Sequence, residues 1–314
     1  MAKTIISYLL ILAITLLSAC ALQPGEPPTQ VFDGMHNGGT VLAFNADESL
    51  LAFGGKGGWV QLYRLPHTDR AEGWRAHQGS TVNGLAFSGD TLLTAGYDMR
   101  LVRWTLQGSM VQQATTPSPI THMVYDQPRK RLITGHRDGV VRLWRADDFS
   151  LMAEYPLHGS AVKRVAVQDE SGYLASSGSD GRVFLISAEQ VRELPSPPSD
   201  AAALVFATND QKLYGSGWFK LFRWDLETNK LTILDTPHRG IIKSLYWIPG
   251  LSQLASISQQ TDSSIYYLDP ATGAATRRFE KHALCGAAVQ VSPTMRYLAT
   301  TSDDASVKLW DLQQ

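Results

Sequence analysis

HQGSTVNGLAFSGDTLLTAGYDMRLVRW, residues 77–104, contains three short apolar or β-branched runs. The runs cover residues 82–87, 92–96 and 101–104, and Gly, Ser, Asp and Thr separate them. Runs of this length between turn-forming residues indicate β-strands joined by tight turns. A histidine precedes the first run and a tryptophan closes the third, so the segment predicts a small antiparallel sheet with a polar residue at one end.

An aromatic or apolar closing residue of this kind occurs seven times along the 314-residue chain, at intervals of 41, 40, 42, 38, 44 and 42 residues. A repeat unit of this size cannot bury its own apolar face, and it has to stack on its neighbours. We therefore predict an all-β fold of seven stacked units, which close at Tyr63, Trp104, Trp144, Ile186, Trp224, Leu268 and Trp310.

Polar residues recur in phase with the closing positions. In several units an Asp lies six residues before the closing residue, a Ser or Thr lies ten residues before it, and a His lies 27 to 30 residues before it. Two units contain all of these residues together with a closing Trp. They are His77, Thr94, Asp98 and Trp104 in the second unit, and His282, Thr300, Asp304 and Trp310 in the seventh.

In this pattern residues 31–314 resemble the WD-repeat β-propellers. The resemblance implies a seven-bladed β-propeller with four antiparallel strands per blade around a central channel. It also implies that His, Ser or Thr, Asp and Trp form a structural tetrad within a blade. Incomplete sets in the other units are His36, Thr134 with Asp138, His158 with Ser176 and Asp180, and His238 with Ser258 and Asp262.

The chain ends just after the third strand of the seventh unit, which leaves one blade without an outer strand. Residues 30–33, Gln-Val-Phe-Asp, precede the first unit and can supply that strand. Pairing of the two ends would close the ring and remove an open sheet edge. We therefore predict a ring closed by the N-terminal strand.

The N-terminus resembles a bacterial lipoprotein signal. Lys3 precedes an apolar stretch at residues 5–17, which is short for a membrane span and typical of a signal peptide. It ends in Leu-Ser-Ala-Cys, and we predict cleavage of residues 1–20 before Cys20 and lipidation of that thiol. Residues 21–30 contain three prolines and are predicted to form a linker. Ala21, in place of Asp, favours the outer membrane of a Gram-negative envelope, facing the periplasm.

Composition and motifs argue against several functional classes. The net charge is −1, so the chain lacks the basic character of a nucleic-acid binder. The recurring Ser, His and Asp residues are more economically explained as structural tetrads than as one catalytic triad. The sequence has no nucleophile elbow and no phosphate-binding Gly loop, and the inner strands have no carboxylate cluster for a metal. We therefore expect no enzyme activity, no cofactor and no metal.

The expected function is that of a non-catalytic, lipid-anchored scaffold that binds protein partners at the cell envelope. In the resembled family, partners usually dock on the face that carries the turns between second and third strands. The matching positions form a locally basic face with three aromatic residues, at Lys56, Asn83, Tyr97, Arg137, Lys163, Trp218, Phe219 and Lys243. Two alternatives remain open here: a factor in outer-membrane assembly, and a small-ligand-binding or enzymatic propeller that uses the central channel.

Overall fold

Seven four-stranded antiparallel sheets surround a central channel in the computed structural model, which describes residues 24–33, 38–67, 70–208, 211–260 and 262–313. The predicted signal peptide, Cys20 and His36 lie outside these ranges. Within them, no helix has the length and apolarity that a membrane span requires. The prediction of an all-β, seven-bladed propeller is confirmed.

Each of the first six blades is continuous in sequence, and its four strands run in chain order from the channel to the rim. Blades 1 to 3 consist of β2 (Gly39–Phe44), β3 (Leu50–Gly55), β4 (Trp59–Arg64) and β5 (Arg70–Arg75); β6 (Val82–Ser88), β7 (Thr91–Gly96), β8 (Arg100–Thr105) and β9 (Met110–Thr115); and β10 (Ile120–Asp126), β11 (Arg131–His136), β12 (Val140–Arg145) and β13 (Leu151–Pro156).

Blades 4 to 6 follow the same order. They consist of β14 (Val162–Val167), β15 (Leu174–Gly178), β16 (Val183–Ile186) and β17 (Val191–Leu194); β18 (Ala203–Phe206), β19 (Lys212–Ser216), β20 (Lys220–Asp225) and β21 (Lys230–Asp235); and β22 (Ile241–Ile248), β23 (Gln253–Gln259), β24 (Ile265–Leu268) and β25 (Ala275–Phe279).

Blade 7 combines the two ends of the chain. Its three inner strands are β26 (Gly286–Val291), β27 (Tyr297–Ser302) and β28 (Val307–Asp311), and its outer strand is β1 (Gln30–Phe32). β1 pairs antiparallel with β28, with Phe32 opposite Val307. The predicted closure of the ring by residues 30–33 is confirmed.

The apolar core lies between the blades. In one interface Leu51 and Phe53 of blade 1, both fully buried, pack with Val307 and Leu309 of blade 7 and with Phe32 of the closing strand. Each blade therefore buries its apolar faces against two neighbours, as the length of the repeat requires. This burial is the main term that holds the ring together.

The segment before β1 is docked on blade 6. Glu26 bridges to the outer strand of that blade, where its N–H donates to the Arg278 carbonyl at 3.0 Å. Its carboxylate accepts two hydrogen bonds from the Arg277 guanidinium, at 2.6 and 2.8 Å. A Cβ on Gly25 would lie 2.3 Å from the Phe279 carbonyl oxygen, so only glycine permits this approach. The part of the predicted linker from residue 24 onward is thus held against the propeller.

Candidate functional site

The tetrad of blade 2 has the predicted geometry. His77 lies at the entrance to the first strand, and its Nδ1 donates to Asp98 at 2.8 Å. Its Nε2 accepts from the Thr94 hydroxyl at 2.8 Å, and the Trp104 indole donates to the same hydroxyl at 2.9 Å. Since His77 and Thr94 are fully buried, this series of hydrogen bonds satisfies polar groups that the core would otherwise leave unpaired.

Blade 7 keeps only three members of its predicted tetrad. His282 contacts Asp304 at 3.2 Å and the Thr300 hydroxyl at 2.8 Å, as in blade 2. The prediction for Trp310 is wrong, because its indole N–H donates to the Glu26 carbonyl at 2.9 Å. The docked N-terminal segment offers an acceptor that the repeat pattern cannot show.

Blade 3 has a hydrogen-bonded His–Thr–Trp triad that sequence reasoning missed. The Trp144 indole and the His136 Nε2 both bond the Thr134 hydroxyl, at 2.8 and 2.7 Å, while Asp138 pairs with Arg142 instead. His136 comes from the end of the second strand. In blade 2 the matching residue is Gly96, where a Cβ would lie 2.3 Å from the incoming histidine ring. Histidine at the position where blades 2 and 4 have Gly96 and Gly178 is the signal that could have identified this substitution.

In blade 6 the serine that bonds the histidine lies two residues before the predicted one. His238 bonds the Ser256 hydroxyl at 2.8 Å, whereas Ser258, the residue in phase with the other blades, bonds Asp262. Leu254 pairs with Leu268, fourteen residues away, whereas the matching pair in blade 2 is twelve residues apart. The hairpin of blade 6 is therefore two residues longer, and counting back from the closing residue selects the wrong serine.

The electrostatics of the tetrads favour a neutral histidine beside an ionised aspartate. Burial lowers the pKa of His158, more than its hydrogen bond to Asp180 raises it. Burial also lowers the pKa of His136 to about 4. For Asp304, burial raises the pKa, but hydrogen bonds from His282 and Ser306 outweigh it and keep the pKa well below its usual range. These groups repeat around the ring inside the blades, which is the arrangement of a structural network.

The eight predicted docking residues lie on one face of the ring, but they separate into two groups. The first group lies nearer the axis: Lys56, Asn83 and Lys243 line the mouth of the central channel, and Lys163 pairs with Asp200. Asn83, Lys163 and Lys243 are the unpaired residues of β-bulges near the start of inner strands, where the register shifts by one. Asn83 uses its amide to bond the Ile120 carbonyl of the next blade at 2.8 Å.

The second group lies farther from the axis, on the turns between second and third strands. It contains Tyr97 and Arg137, both exposed, and Trp218 and Phe219, which are 43% and 42% exposed. The two aromatic rings lie 5.5 Å apart. Trp218 therefore does not fill the space left by the aspartate that blade 5 lacks, because almost half of its surface faces solvent.

The central channel encloses a cavity of about 810 Å³, lined by the inner strands of all seven blades. Sequence reasoning missed two of its charged or titratable residues, His122 on β10 and Arg164 on β14. Both directly follow the bulge of their strand, and this shared register is the signal that could have found them. Among the described residues, no three His, Cys, Asp or Glu side chains are placed to hold a metal ion.

Comparison with known proteins identifies WD40 repeats in this chain. The model of the WD domain, G-beta repeat, matches residues 108–145, 149–187 and 274–311. Each match covers the outer strand of one blade and three strands of the next, so the sequence repeat is offset from the blade by one strand. The same offset explains why blade 7 takes its outer strand from the N-terminus.

Several eukaryotic proteins are similar over parts of the chain. Protein HIR1 of Kluyveromyces lactis is 25% identical over 198 residues, which are 58% of this chain and 20% of that protein. Cilia- and flagella-associated protein 44 of Chlamydomonas reinhardtii is 30% identical over 58% of this chain and 12% of its own length. NACHT domain- and WD repeat-containing protein 1 of Homo sapiens is 22% identical over 76% of this chain and 20% of its own length. The chain thus spans a fifth or less of the length of these relatives.

Proposed function

We propose that this seven-bladed WD40-repeat propeller is a non-catalytic scaffold that binds a protein partner on the face bearing the turns between second and third strands, here called the docking face. The docking face carries large apolar side chains that are 38–55% exposed, at Tyr97, Met99, Trp218, Phe219 and Leu284. Aromatic and methionine side chains are enriched at protein interfaces and supply much of the binding energy there.

The observation that carries this proposal is the choice of residue at one turn position. The backbone has a positive φ there, and blades 1, 3 and 4 use glycine, at Gly58, Gly139 and Gly181. The other four blades have non-glycine residues there: the small Ser263 and Ala305 in blades 6 and 7, and the large apolar Met99 and Phe219, with φ of 64° and 60°, in blades 2 and 5. A non-glycine residue in this region costs about 1 kcal/mol.

Burial of these side chains offsets little of the backbone strain, because Met99 is 38% exposed and Phe219 is 42% exposed. The Phe219 turn is held in place by Thr236, whose N–H and hydroxyl both donate to the Phe219 carbonyl, at 3.1 and 2.8 Å. An exposed apolar side chain on a strained turn that hydrogen bonds hold in place is well suited to contact a partner.

We further propose that the chain is a lipoprotein anchored through Cys20 to a bacterial envelope. The motif at residues 17–20 supports this, together with the path of the chain that follows it. Glu26 is docked on the rim at blade 6, and β1 then runs toward the docking face, from beside Leu309 to beside Val307. The chain thus enters β1 from the side opposite the docking face, which would then point away from the membrane.

The test of the partner surface uses two glycine substitutions at the same turn position. Phe219→Gly relieves the backbone strain and removes the exposed ring. The matched control is Ala305→Gly, which relieves the same strain in blade 7, where φ is 67°. We expect both variants to be at least as stable as the wild type, and photo-crosslinking in cells from a probe at Tyr97 to lose its main product only in Phe219→Gly. Equal crosslinking in both variants would refute the proposed surface.

The anchor is tested separately with Cys20→Ser. We expect this variant to lose incorporation of a labelled fatty acid and to stay unprocessed or become soluble. Wild-type protein labelled in parallel is the positive control. Equal labelling of the variant would show that Cys20 is not the lipidation site, and it would leave the docking-face proposal untouched.

A further inference from the structure

Two basic residues come together in the lining of the central channel. Arg164 on the inner strand of blade 4 extends across blade 5 to blade 6, where its Nη2 donates to the Lys243 carbonyl at 3.3 Å. Between them, the inner strand of blade 5 begins with Ala203, whose short side chain leaves the cavity open. The ring of blades thus places two cations, from positions 79 residues apart, at one level of the cavity.

Neither cation is neutralised within the part of the chain that the structure describes. The guanidinium of Arg164 donates only to main-chain carbonyls, those of Lys163 at 2.8 Å and Lys243 at 3.3 Å. The Lys243 ammonium has no hydrogen bond or ion pair there. The nearby carboxylates are already engaged, because Asp200 pairs with Lys163 and Asp303 pairs with Lys56.

The site therefore lacks the negative charge that would balance Arg164 and Lys243. Arg164 first, then burial and Lys163, lower the pKa of Lys243 to about 7, and burial lowers the pKa of Arg164 to about 10. Charges that are largely removed from water are costly unless a counter-charge accompanies them. An anion in the cavity would remove this cost, so the site favours binding of one.

His122 adds a third polar group to the same cavity. Its Nδ1 accepts the Val165 N–H at 3.3 Å, which assigns the remaining proton of the neutral ring to Nε2. Burial, and then Arg164 and Lys243, lower the pKa of His122 well below its usual value, so the ring is neutral. It therefore offers a donor without adding to the positive charge.

The cavity has the size and lining of a small-molecule site. Its volume of about 810 Å³ lies within the range of about 300–1,000 Å³ that ligand pockets occupy. Apart from the basic groups, much of the lining is apolar or aromatic and includes Phe44, Phe87, Tyr125, Val205 and Tyr246. A planar guanidinium binds carboxylate and phosphate groups through paired hydrogen bonds.

We propose that the central channel binds a small organic anion, whose carboxylate or phosphate group contacts Arg164 and Lys243 and whose apolar body lies against the aromatic lining. This site is separate from the proposed docking surface at Trp218 and Phe219. It adds a ligand-binding role to the scaffold and does not depend on the identity of the protein partner.

The test is calorimetric titration of the full chain, purified in detergent, with phenyl phosphate, benzoate and inorganic phosphate, and with phenol as the uncharged probe. We expect saturable binding of phenyl phosphate or benzoate near one per chain, and no binding of phenol. Arg164→Gln should weaken binding about tenfold or more, since one charge-assisted pair is lost. Arg137→Gln, an exposed arginine of the same face outside the cavity, should leave the affinity unchanged.

Lys243→Met provides a second variant in case Arg164→Gln fails to fold, and it should also weaken binding. Absence of binding by all three anions at concentrations on the order of 10 mM, which would detect a Kd of about 1 mM, overturns the proposal. Equal loss in Arg137→Gln and Arg164→Gln overturns it as well, because it would indicate nonspecific charge attraction. If no anion binds but Arg164→Gln abolishes crosslinking from Tyr97, the cluster recognises an acidic side chain of the partner, and the small-anion proposal is wrong.

Discussion

Removal of one aromatic ring should reveal how much the closing strand contributes to the stability of the propeller. Phe32 is 4% exposed, and its ring centroid lies 4.4 Å from that of Tyr63 and 6.3 Å from that of Phe53. Phe32→Ala would leave a cavity between blades 1 and 7. Replacement of a buried Phe by Ala typically costs about 3–5 kcal/mol.

We expect a loss near the lower end of that range, about 3 kcal/mol, because β1 is only three residues long and can partly detach instead of leaving an empty cavity. Detachment itself exposes Val307 and Leu309 of blade 7, which are buried in the closed ring. Total stabilities of about 5–15 kcal/mol make a loss of this size easy to measure.

The assay is urea unfolding followed by tryptophan fluorescence. Val31→Ala is the matched control, because Val31 lies on the same strand and is 40% exposed, so its loss should stay within about 0.5 kcal/mol. Titration of tyrosine absorbance is a second readout, since burial raises the pKa of Tyr63 and removal of Phe32 should lower that pKa toward its ordinary value. If Phe32→Ala and Val31→Ala unfold at the same urea concentration, ring closure by β1 does not stabilise the fold.

Three further predictions concern the polar groups. Asp98→Ala should destabilise the protein by about 1–3 kcal/mol in urea unfolding, because the buried His77 Nδ1 loses its partner. Trp310→Phe should loosen the docked N-terminal segment, seen as faster proteolysis near Glu26, since its indole N–H holds the Glu26 carbonyl. Lys243→Met should raise the free energy of unfolding in anion-free buffer by about 2 kcal/mol below pH 7. The pKa shift of Lys243 alone corresponds to about 5 kcal/mol, but the side chain meets solvent in the channel, which reduces the effect.

The pH dependence of Lys243→Met follows from the lowered pKa. Below pH 7 the lysine is charged in both states of the wild type, and the folded state bears the full cost. Between about pH 7 and 10.5 only the unfolded chain binds the proton, so wild-type stability rises with pH and the advantage of the variant shrinks. A constant difference from pH 6 to 10 would contradict this.

Controls for the other two variants are Asp90→Ala, in an exposed turn, and Trp104→Phe, which should not affect proteolysis near Glu26.

The repeat alone determined the architecture. Closing residues about forty positions apart predict seven units, and the turn-bounded runs predict their strands, because strand pairing within a blade is local in sequence. Ring closure could also be predicted, since one blade lacked a strand and residues 30–33 were left over. The blade 2 tetrad from His77 to Trp104 was equally accessible, because its members fall within 28 residues.

Contacts between blades were decided only by the tertiary structure. Trp310 lies 284 residues from its acceptor Glu26, and Arg164 lies 79 residues from Lys243, so no periodic pattern relates the partners. The two extra residues in the hairpin of blade 6 fall within the longest interval, 44 residues, but the interval alone does not show which turn contains them. The alternation of strands and turns specifies each blade from within, whereas the channel cluster and the docked N-terminus depend on how seven blades meet around one axis.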